Sequence, residues 1–519
     1  MNVGHFLSAS AEHHPDRPAV IWGDRTIRYA EADRRANALA TALRERGLMP
    51  GERVGILMWN RPELLESMFA TWKAGGCVVP LNARFVADEI AYHLSDPKAS
   101  AVIFDEGFRE VMARLSDQLP SVRHFICAGE PLDGQAGYEE LVTEYLDAGR
   151  LHVTVTDEDL AWLFYTSGTT GRPKGAMLTH GNLTFVSLGW VVDLMHLEPE
   201  DVGLHAAPLT HGAGFHALAL TLKAASQVIL KPHQFAPANV LGTITRHRVT
   251  NTWLVPTQIK LLLNYPDLGR FDLSSLKWIV YGGSPMYVED LKDALQRIGR
   301  VFVQIFGQGE TPMTATYLRP AEHVIEGPLS KRLASCGHAR SGVEIRILDH
   351  DDREVPRREP GEICVRGPSV MEGYWERPEA TKETLRGGWL RTGDIASMDE
   401  EGYVFILDRT KDMIISGGAN IYPREVEEVL LEHPAVSEVC VIGVPDSVWG
   451  EAVKAVVVLT PGASATEESI VAFAAQHMAS YKKPKSVDFV DELPKSAYGK
   501  LLKRELRARY WTGQERGVR

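Results

Sequence analysis

Along the first third of the chain, short apolar runs alternate with stretches in which apolar residues recur every three or four positions. Glu52–Asn60, Cys77–Leu81 and Ala99–Phe104 read as strands, and Arg25–Leu48, Glu63–Trp72 and Ala87–Leu94 carry the helical period. Such alternation predicts a parallel sheet covered by helices on both faces. The rhythm resumes with Leu160–Tyr165, Val202–Ala206, Gln227–Lys231, Thr250–Val255, Leu276–Tyr281 and Val301–Phe306, which makes two doubly wound α/β units in one large body. Beyond about residue 335 the texture changes. Val343–Leu348, Gly361–Val365 and Tyr403–Leu407 are strands separated by turns, a β-rich subdomain reaching to about 410. The remainder has its own order: a helix starting at Pro423, strands Val436–Val444 and Ala452–Leu459, a helix capped by Thr466, and a last strand Ser486–Val490. The expected fold class is therefore α/β, with an N-terminal domain at 1–410 and a small α+β C-terminal domain at 411–519.

Composition narrows the function classes. With 519 residues, 44% hydrophobic and 24% charged, the chain has the balance of an ordinary globular protein of more than one domain. A formal net charge of -12 argues against a general nucleic-acid binder. The five cysteines lie far apart, so neither a zinc site nor a disulfide framework is expected. No apolar run is long enough for a membrane span, and Met1–Phe6 lacks a signal-peptide pattern; a cytoplasmic protein follows as the expectation.

Chemistry concentrates between Thr166 and Gly175. These ten residues hold three glycines, four hydroxyls and the cations Arg172 and Lys174, a composition suited to a polyphosphate. Pro173 and Gly175 flank the lysine, so this is not a Walker A loop. The loop is expected between the strand Leu160–Tyr165 and a helix opening at Thr179. Gly282-Gly283-Ser284-Pro285 follows another strand end and suits either a ligand-approaching turn or a structural one, ahead of a Ser-capped, Pro-started helix. Glu310 ends a third strand, where a carboxylate can hold Mg²⁺ beside phosphates. Asp394 and Arg409 read locally as turn residues. His205, His211 and His216 fit no metal spacing.

Tyr165-Thr-Ser-Gly-Thr-Thr-Gly-Arg-Pro-Lys-Gly175 resembles the signature loop of the adenylate-forming superfamily, which contains acyl- and aryl-CoA synthetases, beetle luciferases and nonribosomal peptide adenylation domains. Further motifs follow in family order to Lys500, and softer similarity at Arg25–Asn37 and Pro50–Val54 extends the resemblance over nearly the whole chain. It implies ATP, Mg²⁺ and coenzyme A as cofactors, a small carboxylic acid as substrate, and a C-terminal domain that is mobile about a hinge at Lys411. By resemblance, Thr166, Ser167, Gly168, Thr169, Thr170, Gly171 and Lys174 handle the phosphates. Gly282, Gly283 and Ser284 follow adenine and the acyl pocket, and Ile406 belongs to the nucleotide site. Asp394 and Arg409 hold the ribose or a phosphate. Glu310 with Thr166 binds magnesium, Lys500 is the catalytic lysine, and Ser416, Gly417 and Gly418 pass the pantetheine arm. His211 gates the acyl pocket, with Gly212, Phe215, Gly282 and Gly307 around it.

The motif Phe306-Gly307-Gln308-Gly309-Glu310 departs from the family's Tyr-Gly-x-Thr-Glu at Phe306 and Gly309, so the hydroxyl expected on the α-phosphate comes from Thr311 or from the loop. In acetyl-CoA synthetases a tryptophan stands where Gly307 stands here and closes the pocket. Its absence, and the absence of Lys and Arg from His205–Leu218, Trp253–Gln258 and Tyr281–Met286, imply a medium-chain, branched or aromatic monocarboxylate. The basic group Lys482, Lys483, Lys485, Lys500, Lys503 and Arg504 suits either a CoA phosphate or plain solubility. The rival readings are an enzyme loading a carrier protein, a luciferase-like oxygenase and, on the strength of Gly309, a non-catalytic adenylate sensor. The sequence allows a homodimer.

Overall fold

The computed structural model describes residues 1–166, 172–232, 235–284, 286–409, 412–416, 419–495 and 501–511. Among these, the strands form four sheets. In the first the order is Ala136–Gly137, His124–Ala128, Ala101–Asp105, Arg53–Leu57, Cys77–Leu81, Leu160–Thr166, Lys174–Thr179; every neighbouring pair is parallel except the last. The second runs His338–Ala339, Thr311–Leu318, Phe302–Gln308, Trp278–Tyr281, Asn251–Leu254, Val202–His205, Ser226–Ile229, Pro18–Trp22, Arg25–Arg28, parallel in its middle and antiparallel at both ends. Between the two sheets lies Gly212–Leu222, a helix buried along all but its last residue. Its Phe215 ring stacks on Trp162 of the first sheet at 4.8 Å. A helix apolar on all sides has nowhere stable to go but the interior, and this one welds the two doubly wound units into one core.

The third sheet is antiparallel and small: Glu344–Leu348, Gly361–Arg366, Trp389–Met398 and Leu385–Arg386, with Val404–Arg409 paired to Trp389–Met398. The fourth holds Ile414–Ser416, Ala419–Ile421, Val436–Asp446, Gly450–Leu459 and Ser486–Phe489, flanked by helices Pro423–Leu431 and Glu467–His477. The cap expected at Thr466 forms, its hydroxyl accepting from the Ser469 amide. No helix among the described residues is long and apolar enough to cross a membrane. All five cysteines are buried.

Three expectations are corrected. Arg25–Arg28 is an edge strand, and the helix begins only at Tyr29. The phosphate loop is not a strand-to-helix turn. Lys174–Thr179 returns antiparallel to Leu160–Thr166, so the loop tips a hairpin, and the helix starts at His180 with Thr179 as its capping residue. Gly175 to Leu178 reads as apolar, and its backbone finds partners on two sides: Met177 N–H donates to Gly373 O and Trp375 N–H to Gly175 O. Tertiary pairing therefore decided it. Likewise the helix after Gly283 starts at Val288 with Tyr287 as N-cap, not at a Ser284 cap; Gly283 itself takes φ +80°, which needs glycine.

Buried histidines brace the second sheet. Nε2 of His205 bonds Gln227 Oε1 at 2.9 Å and Nε2 of His216 bonds Asn251 Oδ1 at 2.7 Å, while both Nδ1 atoms are buried without a partner. Burial lowers the pKa of His180, His205 and His323 to about 4 and that of His216 to about 3. These rings are neutral in the folded chain and charged in an unfolded one below the ordinary value of 6.5. The unfolded state then binds more protons, so stability falls as the pH drops from 6.5 towards 4. The expected result is an unfolding midpoint clearly lower at pH 5 than at pH 7.5 in a thermal or urea series; an unchanged midpoint between those values would contradict the assignment.

Candidate active site

A cleft of about 2010 Å³ opens at the carboxyl ends of the parallel strands of the second sheet. That is where open α/β sheets bind ligands, because strand ends leave loops free to approach. Thr166, Arg172 and Lys174 line it from the loop hairpin, Gly283 and Ser284 from one turn, and Gly307, Gln308, Gly309 and Glu310 from the next. Thr392, Gly393 and Arg409 of the third sheet face it, as do Leu501, Lys503, Arg504 and Arg507 of the C-terminal domain.

At its centre Glu310 is only 7% exposed. Thr166 Oγ1 donates to Glu310 Oε1 at 2.8 Å and Tyr374 O–H donates to the same oxygen at 2.7 Å. Lys174 Nζ stands 4.4 Å from the centre of the Tyr374 ring. Burial first, and then the Glu310 charge, raise the Tyr374 pKa, so the phenol stays protonated and keeps donating. Gly309 has no room for a side chain: a Cβ there would sit 2.4 Å from Thr166 Cγ2 and 2.5 Å from Phe164 Cδ1. The space a threonine would take is filled by Thr166. Sequence reasoning missed Tyr374. Its place depends on an antiparallel bridge to Ala176, nearly two hundred positions away, and the only local signal was Gly373 before it, which takes φ +147°.

Asp394 and Arg409 are not turn residues. They are cross-strand partners, with Arg409 Nε 3.1 Å from Asp394 Oδ1. Gln308 Nε2 donates to Asp394 Oδ2 at 2.5 Å and to Thr392 O at 2.7 Å, tying the third sheet to the Glu310 turn. Phe306 and Ile406 are half-buried against the main core and do not line the cleft.

Phe164, Leu230, Phe235, Trp253, Val255 and Met313 make an apolar stretch of the cleft wall, with Asn60, Thr257 and Gln258 among the polar residues that also line the cleft. His211 lies 4.7 Å from the Phe164 ring, and burial lowers its pKa to about 4, which keeps it neutral near pH 7. Several expected pocket residues act otherwise. Phe215 is fully buried in the Trp162–Phe164 stack, Gly282 presses on Ile305 O, and Gly212 admits the Met313 methyl and the Trp253 ring. At Gly307 a Cβ would meet Thr311 O and Thr314 N, both at 2.7 Å, so a side chain there would strike backbone. The wall at this point is therefore Met313 and Trp253 and not an opening left by Gly307. Thr311 is also corrected: it is fully buried with its hydroxyl on Ser369 Oγ at 2.9 Å, and it does not reach the cleft. The lining is not free of cations either, since Lys231 stands at its margin, 5.3 Å from the Trp22 ring.

Ser167, Gly168, Thr169, Thr170, Gly171, Lys411, Gly417, Gly418 and Lys500 lie outside the described residues. Ser416 pairs with Ala419 and Gly450 and does not line the cleft. For a metal, the described residues bring no group of three His, Cys, Asp or Glu together. One carboxylate with a hydroxyl beside it, both hard oxygen donors, suits Mg²⁺ arriving on phosphates, because that ion keeps few protein ligands.

Comparison with known proteins agrees with this geometry. The family model described as "AMP-binding enzyme" matches residues 7–375, and "AMP-binding enzyme C-terminal domain" matches 425–500. A feruloyl-CoA synthase of Amycolatopsis sp is 40% identical over 508 residues, 98% of this chain and 99% of that protein. A medium/long-chain-fatty-acid–CoA ligase of Mycobacterium tuberculosis is 36% identical, covering 99% and 91%. The crystal structure of ATP-bound MatB from Rhodopseudomonas palustris superposes with TM-score 0.89 at 33% identity, over 98% of each chain. The chain belongs to the AMP-binding enzyme family and is an AMP-forming acid–thiol ligase, an acyl-CoA synthetase that uses ATP and CoA.

Proposed function

We propose that the acid is a medium-chain, branched or aromatic monocarboxylate, and that Mg²⁺ accompanies ATP in this cleft. The observation that carries the substrate reading is the wall of Phe164, Trp253, Val255 and Met313 beside a neutral His211. Apolar surface of this kind is worth about 0.8 kcal/mol per buried methylene, roughly fourfold in binding. A second carboxylate set against these four side chains would be desolvated there, and Lys231 at the cleft margin is engaged with the Trp22 ring. The relatives bear on the same choice, one being a feruloyl-CoA synthase and another a medium/long-chain ligase.

The reaction has two steps. An oxygen of the acid attacks the α-phosphorus of ATP and pyrophosphate leaves; then the CoA sulfur attacks the acyl carbon and AMP leaves. Charge that develops at phosphorus is the main demand. Thr166 and Tyr374 orient Glu310, and Glu310 with Thr166 holds Mg²⁺, which when bound offsets charge on the phosphates. The loop residues Ser167 to Gly171 and Lys174 grip the β- and γ-phosphates. Asp394, oriented by Gln308 and Arg409, takes the ribose. Lys500 serves adenylation and Gly418 thioester formation, exchanged by rotation of the domain 411–519 about Lys411.

Three outcomes are expected. Lys500→Ala should abolish acyl-adenylate formation yet leave thioester formation from supplied acyl-adenylate largely intact, with Gly418→Leu behaving in reverse; equal loss of both half-reactions in both variants overturns the division. Tyr374→Phe removes one hydrogen bond to a buried carboxylate, worth about 1.5–3 kcal/mol, so kcat for pyrophosphate release should fall on the order of tenfold or more with the acid KM little changed. An unaltered kcat would remove Tyr374 from the site. Finally, kcat/KM should rise along acetate, butyrate and octanoate, with benzoate or a cinnamate as the aromatic comparison, and a best value for acetate or malonate would refute the substrate reading.

A further inference from the structure

Arg340 is 3% exposed, and the structure gives it little to be there for. Its nearest carboxylate, Asp193, is also buried but lies 3.5 Å from Nε. Burial wins over that charge and lowers the Arg340 pKa to about 10. Replacing both members of such a buried pair by apolar side chains is often neutral or stabilising, so stability alone does not account for the pair. The contacts of Arg340 converge on one place. Nη1 donates to Thr314 Oγ1 at 2.7 Å, Nη2 donates to Phe185 O at 3.2 Å, and the guanidinium lies 4.5 Å from the centre of the Phe185 ring. Gly189 is bare to make room, since a Cβ there would fall 1.3 Å from Nη2. Asp193 is held in turn by Ser341, whose N–H and O–H donate to it at 3.1 and 2.7 Å.

Thr314 is the receiving end, and it sits next to the cleft wall. Its hydroxyl accepts from Arg340 and donates to Pro312 O at 3.1 Å, so it bridges the residues on either side of Met313. Met313 takes φ +57°, a left-handed conformation that a long side chain adopts only when its surroundings enforce it. The Met313 side chain reaches the bare face of Gly212 beside Trp253. Methionine is flexible, so the backbone it springs from decides where its thioether lies.

We propose that Arg340, braced by Asp193, is a positioning residue that clamps Thr314 and thereby holds Met313 as the end wall of the acid pocket. The proposal rests on the reading of this wall as the acid site. The clamp sets which acids fit without touching them.

The test uses the full chain, with kcat and KM measured for ATP and for butyrate, octanoate, benzoate and a cinnamate in Arg340→Met, Thr314→Val, Met313→Ala and the Met313→Ala/Arg340→Met pair. Arg340→Met should raise the KM of the preferred acid roughly tenfold and flatten the preference among acids, with the ATP KM within about twofold; a hydrogen bond from a charged group is of that size. Thr314→Val should move the same quantities in the same direction and carries the test if Arg340→Met does not fold. Met313→Ala should shift the acid preference, and adding Arg340→Met to it should change little more, since a residue acting through another is not additive with it. An acid profile moved by Met313→Ala but not by Arg340→Met or Thr314→Val overturns the clamp alone, as does parallel loss for acid and ATP. A profile unmoved by Met313→Ala overturns the reading of the wall, and the clamp with it.

Discussion

The hydrogen bonds on the Glu310 carboxylate are the joint on which the site depends. A buried carboxylate is costly unless its oxygens are satisfied, and here the donors come from two distant stretches: Thr166 from the loop hairpin and Tyr374 from the segment after the third sheet begins. The backbone repeats the connection. Met371 N–H donates to Glu310 O, Met177 N–H to Gly373 O and Trp375 N–H to Gly175 O. Loop hairpin, Glu310 turn and the 371–375 segment therefore cannot shift independently. The stem of a loop that must grip phosphates is anchored by the group proposed to hold their metal ion.

Close packing explains the glycines of this joint better than flexibility does. At Gly309 and Gly307 an added Cβ would enter Thr166 or the Met313–Thr314 backbone. The space a threonine at 309 would take is occupied by Thr166, which bonds Glu310 from there. Gln308 then extends the same turn to Asp394, so one short segment aligns the elements proposed for metal and for ribose.

The C-terminal domain meets this site through charged contacts of a different kind. Lys503 lies between Asp408 and Glu427 at 3.2 and 3.0 Å; burial opposes its charge, but those carboxylates raise its pKa and keep it ionised. Tyr287 O–H donates to Glu427 at 3.2 Å, and Lys260 Nζ donates to Ser437 O at 3.0 Å. Polar contacts that water can replace suit a docking that the proposed rotation would undo, whereas an apolar seam would resist separation. The residues following Lys500 face the cleft in this arrangement while Ser416 does not, the orientation expected for the adenylation half of the proposed cycle.

Much of this was legible in the sequence for a physical reason. Strand and helix periods are local, so the parallel units, the β-rich subdomain and the Thr466 helix cap could be read from residues a few positions apart. Phosphate-loop composition was equally local, whereas Glu310 was singled out by the resemblance. What the sequence could not show were contacts between residues far apart in it. The return of Lys174–Thr179 as a strand was decided by neighbours at 372–375, and the strand places of Asp394 and Arg409 by their pairing with each other. Thr311 proved buried on Ser369, a residue 58 positions away, and Gly307 proved closed because Thr311 and Thr314 backbone stands against it. Tyr374 on Glu310 and Arg340 on Thr314 have no signature in their own segments. Each exists only because folding brings a donor to a buried acceptor, and that match is made in three dimensions.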